Sequence, residues 1–213
     1  MRPWAERLID LARPGPGDRC LDVLSESDVL ARLLRRAVGP SGTVIELDED
    51  TDAPPGPSTV VVSLFGVAGA ADPIGALRRA AAGLDPVSGR LAAAVWAGAA
   101  GAPHEAAVRA GLAEVGLSWP DLDAELGLAG DDVAGSLPPG LRLGRLRDVV
   151  RFDGTARLWA ALVDERRPPA QISAAPPAAH EEARRVCAAR LQRHTAADGT
   201  LRIPVEALVV ERA

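Results

Sequence analysis

Lysine, asparagine and tyrosine are absent from these 213 residues, and the aromatics amount to four Trp and two Phe. All 24 basic side chains are therefore arginine. Codons for the three missing residues are AT-rich, so the bias reads as the mark of a high-GC bacterial genome and not as arginine chemistry. The many Ala, Gly and Pro residues fit the same reading. An excess of positive charge is also missing. The formal net charge is -5, which argues against nucleic acid as a partner. Two cysteines, Cys20 and Cys187, are too few for a disulfide framework, and their apolar surroundings suggest buried thiols. No uninterrupted apolar run reaches membrane-spanning length, and no charged-then-apolar leader is seen, so a cytoplasmic protein without a membrane partner is expected. The length suits one good-sized domain, residues 1–213.

What is present is an alternation of strand and helix signals. Residues 3–12 read as a helix opened by Pro3, with Trp4, Leu8 and Leu11 on one face. After the turn PGPGD comes a strand over 19–24, then a helix over about 28–38 that Ser27 or Asp28 can cap and Gly39-Pro40 stops. Strands follow at 43–48, 59–65, 90–98, 145–152 and 200–210, with helices over 73–84, 103–116, 154–164 and 178–194. A short helical piece is expected near 120–128. Alternating strands and helices predict a doubly wound, mostly parallel sheet, and the closing strand–helix–strand unit predicts an antiparallel C-terminal edge strand.

One connection is too short. Ten residues, EDTDAPPGPS, separate Asp48 from Thr59. They span roughly 34 Å at most, enough to cross back over the first strand. A helical crossover inside a βαβ unit needs about 30 residues, so none fits here. Strand 43–48 should therefore form an edge of the sheet. Glu46 within it agrees, since burial on both faces would favour an unbroken apolar run. An edge strand can pair with another chain.

The layout of CLDVLSESDVLARLL (20–34), with VLARLLRRAVGPSGTVIELD, VVVSLFGV, RLAAAVWAG and ADGTLRIPVEALVV, resembles class I S-adenosylmethionine (SAM) dependent methyltransferases. It is most similar to the small-molecule branch related to ubiquinone and menaquinone methyltransferases. The resemblance spans nearly the whole chain and implies a Rossmann-like fold, here with the family's third strand and flanking helices missing. It also implies SAM as cofactor. The family's first loop reads Gly-x-Gly-x-Gly; the corresponding positions are Leu24, Glu26 and Asp28. Asp22 in the first strand is retained, as is Asp48, at the position that binds the ribose hydroxyls. Glycines serve such a loop because they accept positive φ and close backbone approach. The cofactor's carboxylate lies near this loop in the family. A second carboxylate at about 5 Å would cost roughly 3 kcal/mol at an effective dielectric near 20. Without a ligand, the acidic residues read simply as the charge and cap of a helix N-terminus.

Other chemistry is thin. His104 follows the fifth family strand, where the resemblance implies a substrate pocket, and a general base there is one reading. A solvated residue in the first helical turn is the expected one. Trp96 and Trp119 could line the same cleft, although scarce tryptophans are first of all core anchors. His180 and His194 lack metal-ligand spacing, so no metal is expected. Arg184, Arg185, Arg190 and Arg193 read as a solvated helix face, with anion docking as the alternative. No phosphate loop or nucleophile elbow is present.

Three functional readings follow. The leading one is a pseudoenzyme: a degenerate methyltransferase-like protein that no longer binds SAM and serves as a binding protein. Its partner would be a second copy or another protein at the 43–48 edge, or a small apolar ligand. The others are an active SAM-dependent small-molecule methyltransferase, and a SAM-independent, cyclase-like enzyme that reuses the fold.

Overall fold

A computed structural model describes residues 2–25, 28–47, 56–70, 72–120, 137, 139–165 and 168–212. Its elements are α1 (Arg2–Ala12), β1 (Arg19–Val23), α2 (Asp28–Val38), β2 (Thr43–Leu47), β3 (Val60–Leu64), α3 (Pro73–Ala82), β4 (Arg90–Trp96), α4 (Gly98–Gly101), α5 (Pro103–Glu114), β5 (Arg142–Phe152), α6 (Thr155–Trp159), α7 (Ala170–Ser173), α8 (Pro177–Leu191) and β6 (Leu201–Arg212). A single 3-10 turn, Gly66–Gly69, follows β3. The helix expected near 120–128 lies outside the described residues, apart from Pro120.

The strands form one six-stranded sheet in the order β2-β1-β3-β4-β6-β5. Pairings β1–β2, β1–β3 and β3–β4 are parallel, with Asp22 opposite Glu46 on one side and Val62 on the other. The sheet is mostly parallel with antiparallel strands at one end, which is the expected class. The C-terminal strand β6 sits one place in, and β5 takes the outermost position. At the opposite end β2 is the outermost of the described strands, as the ten-residue connection required. Thr43 and Glu46 on it are exposed, and Glu46 is ion-paired with Arg35 of α2.

The chain divides into two compact units. The first comprises residues 1–96, 128–146 and 208–213. Its centre is β3, buried along its whole length, with β1 and β4 on either side. Helix α1 buries Trp4, Ala5, Leu8 and Ala12, an i, i+4, i+8 stripe. Helix α2 buries Leu30, Ala31, Leu34 and Val38 at the same spacing. Both helices thus present one apolar face to the sheet because their sequences carry the helical period.

The second unit comprises residues 97–127 and 147–207. Helices α5 and α8 pack against each other, burying Val108 and Leu112 on one and Ala183, Cys187 and Leu191 on the other. Ile172 and Trp159 complete this core. His180 is tied to it by its Nε2, 3.0 Å from the Ile172 carbonyl.

Candidate functional site

In an open α/β sheet, ligands bind beyond the carboxyl ends of the strands, at the point where strand order reverses. Here that point lies between β1 and β3. From β1 the chain crosses through α2 to β2 on one side, then returns past β1 to β3 on the other. The crevice is framed by Leu24-Ser25 after β1 and Phe65-Gly66 after β3.

Both loops turn through left-handed backbone at non-glycine residues. Leu24 has φ 58° and Phe65 has φ 62°. Left-handed backbone costs an ordinary L-residue roughly 1–2 kcal/mol. Leu24 therefore keeps a glycine-like turn without the glycine. Its N–H donates to the Leu47 carbonyl at the end of β2, at 2.9 Å.

The loops are joined across the crevice. The Leu64 N–H donates to Ser25 Oγ at 3.0 Å. The Leu24 carbonyl is pressed against Gly66 so closely that a Cβ there would lie 1.5 Å from the oxygen and 2.2 Å from the carbon. Only glycine at 66 permits this approach. Next to it, Phe65 stacks on Trp96 with ring centroids 4.0 Å apart. Trp4 meets both rings edge-on, at 5.6 and 5.7 Å. All three aromatics are buried.

Beneath the crevice lies Asp22, 3% exposed. Burial pushes its carboxyl up to about 6, a hydrogen bond with the Ser25 side chain pulls it down, and nearby Glu46 pushes it up again. Its Oδ1 has no hydrogen-bond partner among the described residues. Asp28 opens α2 in exposed surroundings, its carboxylate 3.4 Å from Arg32. Glu26 and Asp48 lie outside the described residues.

The remaining sequence candidates occupy different settings. Trp96 belongs to the aromatic cluster just described. His104 is not solvated: it is 3% exposed, beside the equally buried Glu105 (Nε2–Oε1 3.9 Å), with the Phe152 ring centroid at 6.2 Å. The turn is first in its helix, but α5 rotates it toward the interior together with Ala107 and Val108. Trp119 lines a 290 Å³ cavity with Arg109, Leu112 and Ser118, and His104 is not among the lining residues. Among the described residues no group of His, Cys, Asp or Glu could hold a metal ion, and no helix is long and apolar enough to cross a membrane.

No family model and no curated protein matches the chain. Solved structures do. A candidate methyltransferase from an antibiotic biosynthesis pathway of Anabaena variabilis superposes with TM-score 0.59 at 9% identity, over 98% of this chain and 96% of that one. A candidate methyltransferase of Bacillus halodurans gives 0.56 at 10% identity, over 97% and 96%. A cyclopropane-fatty-acyl-phospholipid synthase-like protein of Lactobacillus casei gives 0.53 at 14% identity, over 100% and 91%. The chain has the class I SAM-dependent methyltransferase fold.

Of the sequence candidates the structure places Asp22 and Leu24 at the crevice end of the sheet; Ser25, Phe65, Gly66 and Trp4, which also shape it, were not among them. A glycine directly after the apolar run VVVSLF was the available signal for close approach.

Proposed function

We propose that this chain is a methyltransferase-fold protein that does not use SAM and acts by binding, with a partner strand added along β2. The observation that carries the proposal is the joined crevice. A ligand at a switch point sits in the crevice between the loops that follow the two strands. Here Ser25 and Leu64 bond across the gap, and the Leu24 carbonyl fills the space beside Gly66. The residues present do not fit SAM in that position, and no catalytic step through it is derived. The β2 edge supports the partner role, because an outermost strand offers backbone groups for strand addition.

One observation favours retained SAM binding. Asp22 keeps a buried oxygen without a partner among the described residues, below a loop whose first residue has left-handed backbone. That oxygen could accept from an amine.

Thermal unfolding with and without S-adenosylhomocysteine separates the two. Ligand at about 100 times its Kd stabilises by about 2.7 kcal/mol. For a chain of this length that is roughly 5–10 °C in Tm. The proposal expects no shift at millimolar ligand, and a shift of that size refutes it. Light scattering tests the partner role in its homo-oligomeric form, which a strict monomer at all micromolar concentrations would exclude.

A further inference from the structure

Helix α5 lies against α8 at Gly111, where a Cβ would lie 2.3 Å from the Ala183 carbonyl oxygen. Toward the start of α5 and the end of α8 the same helices leave a cavity of about 740 Å³. Small-molecule sites fall at about 300–1,000 Å³. Small side chains line it, Ala99, Ala106, Ala107 and Ala189 among them. Arg190, Arg193 and His194 also line it, and among the described residues no carboxylate does.

The arginines of α8 and of the 3-10 turn Gln192–His194 that follows it divide into two kinds. Arg184 and Arg185 are neutralised by Glu181 and Glu182 one turn earlier. Arg190 makes no ion pair among the described residues, and Arg193 spends its Nε on His194 Nε2 at 3.1 Å. That bond requires His194 to accept, so its imidazole is neutral. Burial lowers the His194 pKa and the Arg193 charge lowers it further. Among the described residues neither guanidinium has a carboxylate partner, and both line the hollow. Arg190 in a last helical turn also suits the helix dipole, but the dipole does not account for the hollow beside it.

We propose that this cavity binds a small amphiphilic anion. The lining alanines take the apolar body, and Arg190 and Arg193 take a carboxylate or phosphate head. Guanidinium groups match both oxyanions in geometry and charge. Everything this inference uses lies within the second unit, and it does not depend on whether SAM binds.

The test is a fluorescence titration of the full chain with 8-anilinonaphthalene-1-sulfonate, followed by displacement with decanoate, decyl phosphate and decanol. Saturable binding is expected, displaced by one or both anions and far less by decanol; the better of the two anions identifies the head group. The double substitution Arg190→Gln, Arg193→Gln touches only exposed side chains and should weaken binding at least about tenfold, the loss of one strong charged contact. Ala106→Trp should fill the hollow and abolish binding with the circular dichroism unchanged. Absence of saturable binding at millimolar probe would overturn the inference. So would both variants binding as the unchanged protein does, or decanol displacing as well as the anions.

Discussion

Replacing Gly66 by alanine tests the joined crevice at its tightest point. The added Cβ would lie 1.5 Å from the Leu24 oxygen. Ordinary contact is about 3.5 Å, so the two loops must part by about 2 Å. That movement breaks the Ser25–Leu64 hydrogen bond, a net loss of about 1 kcal/mol. It also disturbs the Phe65–Trp96 stack, worth about 0.5–1.5 kcal/mol beyond burial. Overpacking of this kind adds about 1–3 kcal/mol. The expected loss is about 3–5 kcal/mol, or roughly 10 °C in Tm for a chain of this length. Urea unfolding followed by tryptophan fluorescence reads it directly, because Trp4 and Trp96 lie in the affected cluster. Gly83→Ala is the control: its nearest neighbour is 3.6 Å away and its φ is -80°, so a change within about 1 kcal/mol is expected. A Gly66→Ala protein as stable as the parent, within about 0.5 kcal/mol, would refute the reasoning.

Three further outcomes follow from the same region. Asp22 has a folded pKa of about 6 against an ordinary 3.8, so the native state holds a proton that the unfolded chain has already released. Its contribution is favourable at low pH and is lost as pH rises from about 4 through 6, with an upper bound of about 3 kcal/mol. Asp22→Asn should therefore be more stable than the parent at pH 7.5 and equal to it near pH 4; equal stability at both would contradict the buried carboxylate. Ser25→Ala should cost about 1–3 kcal/mol by leaving the buried Leu64 N–H without its partner, and the Leu64 amide should exchange faster with deuterium. Unchanged exchange there would sink the cross-crevice bond. Finally, the triple change Leu24→Gly, Glu26→Gly, Asp28→Gly should not restore SAM binding, because the Leu24–Gly66 contact is made by backbone; calorimetric binding by that variant would show that the side chains alone had closed the site.

Much of the architecture was legible because it is periodic. The stripe of Trp4 and Leu8, the apolar runs of β3 and β4, and the ten-residue connection before Thr59 each carry a local physical meaning. Together they place β2 at the edge. The site was less legible because it is made of contacts between residues about 40 apart. Nothing local to Leu24 announces a left-handed turn, since leucine rarely adopts one, and nothing local to Ser25 names Leu64 as its donor. That leucine, glutamate and aspartate stand at 24, 26 and 28 was visible, but the backbone at Leu24 was not: it turns left-handed and its carbonyl closes on Gly66. His104 was misread for a related reason. First-turn residues are commonly wet, but the rotation of α5 that buries His104 is set by its packing against other elements.

Under the proposed function the switch-point crevice does not accept SAM. Isothermal titration calorimetry of the pure, folded protein with SAM addresses it most directly. The account predicts no heat of binding up to millimolar ligand. A saturable isotherm with a micromolar Kd would contradict it and restore a working methyltransferase whose loop opens around Asp22.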